Sequence, residues 1–373
     1  VKTEDIPAAT QLFTPNWIVK YMVQNSIGRQ WLATYPDSPL RQQMEYYIEP
    51  AEQTEEVQAQ LKAITPDSLN PEEMTLLDPA CGSGHIEVEA YDLFKAMYLE
   101  RGYRMKDIPR LILRNNLFGL EIDERAAQLA SFALIMKARA DDRRVLEGGI
   151  RMNIRCIQSS DGIKAEEVYE ALTGVDVVDK SGLPPTDDFF EEDTAPLLAH
   201  LRKESAVPSS SLATSHQPLA TTLQDLRQLL TLFKGEDAKA FGSLIRIPDR
   251  LAKLLPAIVE QTDQLVHGND LARQRVAERF APIAEQALLL SQQYDAVVAN
   301  PPYMGGKGMN KKLRDYARKN HPEAKSDLYA VFIDRLVHIA KQNGLVGLMT
   351  PFTWMFLKSY QEIGRASCRE RVC

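Results

Sequence analysis

Cysteine is scarce in this chain. Cys81, Cys156, Cys368 and Cys373 are the only four among 373 residues, and their spacing makes neither a metal-ligand set nor a close-set disulfide framework. Metal chemistry is not expected, and a reducing cytoplasm fits. Long hydrophobic runs are missing too. None approaches the roughly 20 apolar residues that cross a bilayer, and the opening Val1-Lys2-Thr3-Glu4-Asp5 is too polar for a secretory signal. No membrane attachment is expected. Positive charge is in short supply, with a net charge of −7, so contact with nucleic acid must come from local clustering. There is no internal repeat, and the start at Val1 rather than Met reads as a cut amino end. What is present, at 44% hydrophobic content, can bury the core of one elaborated domain or two.

Three strand-like runs end in unusual residues. Tyr294 to Ala299 runs into Asn300-Pro301-Pro302-Tyr303. At the carboxyl end of a strand in an open α/β sheet, where ligands sit, this combination suits a planar group bearing an exocyclic amine. The Asn300 side-chain oxygen and a carbonyl of the Pro301-Pro302 segment can each accept one amino hydrogen, while Tyr303 supplies a stacking face. Met74 to Leu77 leads into Asp78-Pro79-Ala80-Cys81-Gly82-Ser83-Gly84, where glycines at a strand-to-helix turn admit a ligand close to the backbone. No Lys follows, which excludes a phosphate-cradling P-loop. Glu87 stands where a dinucleotide fingerprint needs its third glycine. Asn115 to Asp123 is a strand ending in carboxylates. Glu121 is placed to accept from two ribose hydroxyls, Ile122 to lie on an adenine face, and Asp123 to cap the helix Glu124 to Arg139. A further strand, Ile150 to Gln158, leads to Asp161, a candidate acceptor for an adenine amino group or simply a turn residue.

The Asp78 to Gly84 loop resembles the S-adenosylmethionine loop of methyltransferases. Upstream, Phe13-Thr14-Pro15 starts a helix, with Thr14 as its cap and Pro15 its first residue. In this company it resembles the segment lying over the methionine end of the cofactor in amino-methylating DNA enzymes. The order Phe-Thr-Pro, Gly loop, acidic strand end, Asn-Pro-Pro-Tyr matches the gamma-ordered N6-adenine DNA methyltransferases. Within these the wording looks most like the large BREX-type phage-defence enzymes, the PglX family. The resemblance spans most of Thr10 to Leu357 and implies S-adenosylmethionine as cofactor, DNA as substrate, and other defence-system subunits as candidate partners. It also implies in-line methyl transfer to a flipped adenine, and lets Asp327 line the methionine side of the pocket. Three alternatives stay open: protein-glutamine methylation, which uses the same Asn-Pro-Pro-Tyr, RNA-base methylation, and a non-catalytic cofactor-binding subunit.

The expected fold is a doubly wound, mostly parallel, Rossmann-like α/β sheet. Residues 1–73 form a helical lead, including an amphipathic helix from Glu52 to Ile64; 74–163 the first half-sheet; 164–290 a mainly helical insertion; and 291–361 the second half-sheet, with Leu345 to Thr350 as a strand. In the insertion, Leu223, Leu226, Leu230 and Phe233 share one helical face, and another helix runs from Asp270 toward Gln292. The acidic Asp187 to Asp193 and the polar Val207 to Ser211 read as solvated loops. After Asn-Pro-Pro-Tyr, a glycine loop followed by Lys307, Lys311, Lys312 and Arg314 suits contact with DNA phosphates, or a plain solvated helix face. Residues 362–373 break the pattern, and their back-translation resembles a sequencing adapter. A truncation near Gln361 is expected, with loss of the recognition domain that follows in the resembled family.

Overall fold

A computed structural model describes residues 14–147, 149–175, 221–356 and 360. The acidic patch, the Val207 to Ser211 loop, Phe13 and the tail from 362 lie outside these residues. Five strands form one all-parallel sheet in the order β3-β2-β1-β4-β5. They are β1 Leu76–Asp78, β2 Leu117–Glu121, β3 Asn153–Cys156, β4 Tyr294–Ala299 and β5 Ala340–Leu348. The order reverses between β1 and β4. A crevice opens at such a switch point because the connections from the two strands leave toward opposite sides.

The alternation along the central strands divides the core in two. Leu76, Leu117, Ala296 and Val298 face one apolar cluster. It holds Val19, Val23 and Trp31 from the lead, Phe94 and Met97 from the helix His85–Glu100, and Ala130 and Leu134 from the helix Glu124–Asp141. Leu77, Leu120, Val297 and Ala299 face the other, which holds Leu226, Phe233, Leu251, Leu255, Phe280 and Ile283 of the insertion with Ala330, Ile333 and Leu336 of the helix Leu328–Ile339. Strands covered on both faces read as continuous apolar runs, as β4 does. The insertion is therefore a structural layer of the sandwich. Its described residues include the helices Ala165–Thr173, Leu223–Leu232, Asp249–Val266 and Leu271–Ser291. Thr222 and Asp225 form a capping box at the second of these, and Asp270 caps the fourth.

Three local expectations change. The lead helix of the amphipathic pattern forms over Glu55–Ile64, but none of its residues is buried, and Leu61 and Ile64 face outward. β5 begins at Ala340, upstream of the expected Leu345. The first helix among the described residues is Asn16–Val23, with Pro15 at the cap position and no side-chain cap bond. Thr14 does not cap it, because its hydroxyl has a distant partner.

Candidate functional site

That partner is Asn300. Its amide Nδ2 donates to Thr14 Oγ1 at 3.0 Å, across 286 residues of sequence. Thr14 is buried, and Asn300 stands at the carboxyl end of β4. The contact fixes the amide plane and sets Oδ1 on its opposite edge. Pro301 is buried and Pro302 half-buried behind it. The Tyr303 ring, half-buried, lies 6.0 Å from that of Tyr329, and its hydroxyl donates to Met349 O at 2.7 Å. Burial raises the Tyr303 phenol above its ordinary range, with Tyr329 adding to it, so the ring is neutral near pH 7.

Across the switch point, the β1 end turns on two glycines. Gly82 has φ 52° and Gly84 φ 84°, both left-handed. A Cβ on Gly82 would meet nothing within 4 Å, whereas one on Gly84 would stand 2.9 Å from Ala130 Cα. Gly82 thus leaves open space for a ligand, while Gly84 lets the helix His85–Glu100 start close against Glu124–Asp141. Glu121 ties β2 to this loop. Its Oε2 accepts from Gly82 N at 2.8 Å, and its Oε1 from Ile122 N and Asp123 N at 2.8 and 2.9 Å. Asp123 caps the following helix through Arg125 N, as expected.

Acids gather beneath the loop. Asp78 is 1% exposed, accepts from Ala80 N at 3.0 Å, and has its carboxyl pushed up to about 8, chiefly by burial with Glu121 adding, against the Ala80 bond. Glu87 is fully buried, and among the described residues its carboxyl has at most the Cys81 thiol for a side-chain partner; burial, then Asp78, push it well above the carboxylate range. It occupies room left by Gly119, where a Cβ would come within 2.8 Å of Oε1. Cys81 is buried beside it with its thiol raised by the same burial and the neighbouring acids.

One cleft joins the two strand ends. Ala80, Gly82, Glu121, Ile122, Asn300 and Pro302 line it, with Ala126, Leu328 and Phe332 adding apolar surface. Sequence reasoning missed its remaining wall, the insertion residues from Lys239 to Leu244. Apart from the Gly242-Ser243 pair as a turn marker, nothing in that stretch signalled a site.

Several expected residues are engaged elsewhere. Asp78 lies under the loop and does not line the cleft. Asp161 is exposed, and its Oδ1 accepts from Gly235 N at 3.1 Å, outside the lining. Asp327 caps the helix Leu328–Ile339 and accepts from Met304 N at 3.2 Å, tying the loop after Tyr303 to that helix while its neighbour Leu328 reaches the cleft. Burial raises its carboxyl against these backbone bonds. Arg314 donates to Gly306 O and Met309 O at 3.0 and 2.8 Å, so it braces the glycine loop. Lys312 pairs with Asp237 at 2.8 Å. Lys307 and Lys311 are exposed. Among the described residues no group of three or more His, Cys, Asp or Glu could hold a metal ion, and no helix is long and apolar enough to cross a membrane.

Comparison with known proteins gives this arrangement a context. Residues 51–155 match the MmeI DNA-methyltransferase domain. The chain is 50% identical over 363 residues to adenine-specific methyltransferase BrxX of Escherichia coli O9:H4 (strain HS), covering 97% of this chain and 28% of that protein. It is 32% identical over 390 residues to adenine-specific methyltransferase PglX of Lacticaseibacillus casei (strain Zhang), covering 99% and 27%. Type II restriction enzyme and methyltransferase RM.Eco57I of Escherichia coli shares 30% identity over 131 residues, covering 33% of this chain and 12% of that protein. The chain thus spans little more than a quarter of the first two relatives. A match to the family described as Eco57I restriction-modification methylase covers residues 115–368. On that match the chain belongs to the Eco57I restriction-modification methylase family.

Proposed function

We propose that this chain carries the cofactor site and the target-amine site of an S-adenosylmethionine-dependent N6-adenine DNA methyltransferase, working in phage defence or restriction-modification. The observation that carries the reading is the Thr14–Asn300 contact at the mouth of the cleft that Gly82, Glu121 and Ile122 also line. Relatives named adenine-specific methyltransferases support adenine as the base.

The cleft suits the cofactor. Gly82 leaves its approach open, Glu121 presents a carboxylate to ribose hydroxyls, and Ile122, Ala126 and Phe332 offer apolar faces to the nucleobase. The Glu121 carboxylate in the lining favours a ligand of positive charge over an anionic one. Asp161 and Asp327 spend Oδ1 on backbone N–H groups, so a cofactor role for either falls to its Oδ2. Bound S-adenosylmethionine supplies the electrophilic methyl group. The chain's own work is orientation. A base inside a duplex is out of reach, so the target adenine must flip. Asn300 Oδ1 and the Pro301 carbonyl accept its two amino hydrogens and turn the nitrogen lone pair toward the cleft. Tyr303 stacks on the base. Held in this way, the amine would take the methyl group as its bond to the sulfonium sulfur breaks, and the proton that the nitrogen loses would pass to water.

Cofactor binding is measured by calorimetry on this chain, and methyl transfer on the longest product of its gene, offering adenine and cytosine oligonucleotides, a glutamine peptide and RNA. Label in adenine-containing DNA alone is the expected outcome. Label in cytosine or in the peptide overturns the reading.

A further inference from the structure

The wall that the insertion contributes is built as a strap, and it makes contacts on three sides. Toward the cofactor loops, the Ser243 hydroxyl donates to Pro79 O, and both Gly242 and Ser243 are buried. Gly242, at φ 52°, lies against Ile122, where an added Cβ would stand 3.0 Å from Cγ2. Behind, Arg335 is 5% exposed and spends its guanidinium on backbone carbonyls: Ser243 O at 3.4 Å, Ile245 O at 3.0 Å and Leu290 O at 3.1 Å. A buried cation satisfied only by main-chain acceptors fixes where that main chain runs. Toward the basic helix Lys311–Asn320, the Phe241 ring stacks on Tyr316 with centroids 4.3 Å apart and planes 21° from parallel. The Tyr316 hydroxyl donates to Leu244 O at 2.7 Å, and Lys312 reaches Asp237.

We infer that the strap Asp237 to Leu244 is a working part of the cofactor site, held in register by the basic helix, so that Tyr316 is a positioning residue for the bound nucleoside although it does not line the cleft. The inference rests on the cofactor reading of the cleft given above. Contacts run without a gap from Ile122 through Gly242 and Phe241 to Tyr316. Two residues before Tyr316, Arg314 braces the glycine loop that follows Asn-Pro-Pro-Tyr. The chain of contacts therefore joins the nucleoside wall to the loop beside the target site. The inference requires the two ends to be coupled through these packed contacts, which ligand-dependent exchange at both ends reads out.

The test is calorimetry with S-adenosylmethionine and S-adenosylhomocysteine on the unaltered chain and on Tyr316→Ala, Tyr316→Phe, Gly242→Ala and Glu121→Ala, with thermal unfolding to confirm folding. Tyr316→Ala removes the stack and the carbonyl bond, and is expected to weaken both ligands by roughly tenfold. Tyr316→Phe keeps the stack and is expected to recover most of that loss. Gly242→Ala forces a side chain into left-handed backbone against Ile122 and is expected to weaken binding by a similar roughly tenfold factor. Hydrogen exchange provides a second readout: ligand should slow exchange in 238–245 and in 313–317 of the unaltered chain, and the second protection should vanish in Tyr316→Ala. If Glu121→Ala weakens binding while Tyr316→Ala and Gly242→Ala bind normally, the strap inference fails and the cofactor reading stands. If the unaltered chain binds neither ligand, both fall.

Discussion

The carboxyl ends of β1 and β4 are neighbours in the sheet, yet they are built from opposite materials. At β1 the residues are glycines and acids: Gly82 and Gly84 at left-handed φ, and Asp78 and Glu87 buried with raised pKa values. At β4 they are neutral and stiff: an amide, two prolines and a tyrosine, with the amide clamped by Thr14. The first end yields space to a ligand over buried acids held protonated. The second presents fixed acceptors to a group that must be held at one angle. Binding and orientation are thus assigned to separate strands, and variants should separate affinity from rate.

The largest effect is expected at β4. Asn300→Ala should lower methyl transfer by about 10²–10³-fold, the scale of losing one oriented polar group from a reacting centre, while calorimetry finds cofactor affinity unchanged. A variant that loses affinity and rate in equal measure breaks the division of labour. Next is Glu121→Ala at the β2 end, which removes charge-assisted acceptors worth about 1.5–3 kcal/mol and strips the partner from three backbone N–H groups. Affinity should fall accordingly, and Glu121→Gln, which keeps one acceptor oxygen, should fall less.

Glu87 comes third, and its readout is stability against pH. A carboxyl whose folded pKa is raised stays protonated in the folded chain after the unfolded chain has released its proton. Stability therefore declines as pH climbs from about 4, the free carboxylate value, toward the raised values of Glu87 and of Asp78 at about 8. Glu87→Gln removes the acid while keeping its shape. Its thermal midpoint should exceed that of the unaltered chain at pH about 8 and approach it in mild acid. Equal pH slopes for the two proteins count against a buried neutral acid.

The smallest effect sharpens the β4 side. Stacking alone needs only the Tyr303 ring, so Tyr303→Phe should be mild for methyl transfer. The hydroxyl, however, holds Met349 O, so the change should cost about 1 kcal/mol of stability with little loss of transfer. Tyr303→Ala should also lose roughly 1–3 kcal/mol of base stacking, seen as reduced methyl incorporation.

How much of this was legible follows from where the forces come from. β4 was read at its observed bounds, because a strand buried on both faces leaves an unbroken apolar run ended by proline. The helix Leu271–Ser291 was read within a residue at each end, since Asp270 supplies its own local cap. The β5 start was not legible: Lys341-Gln342-Asn343-Gly344 carries no strand pattern, and pairing with β4 shifts register there. Thr14 was misread as a cap because its partner lies 286 residues away. The strap was invisible for the same reason. Its lining role comes from Ile122, Pro79, Tyr316 and Arg335, all remote in sequence, while its own eight positions show no periodicity. The partners that Arg314 and Lys312 find in Gly306, Met309 and Asp237 were not legible either, because charge is visible in sequence and its spatial partners are not.

The strand order carries a consequence for how the protein is made. β1 pairs with β2 and also with β4, and the bonds beside the latter, such as Thr75 N to Asp295, close a span of 220 residues. As the chain leaves the ribosome, the Gly loop and the Glu121 end are synthesised early, while their neighbour across the crevice arrives only after the whole insertion. Long closures of this kind slow folding. The half-sheet β1–β3 must therefore wait with one flank of β1 unpaired and one face waiting for its helical layer. Chaperone engagement and protease sensitivity should concentrate in that interval, and should end when Tyr294 to Ala299 slots in beside Leu76.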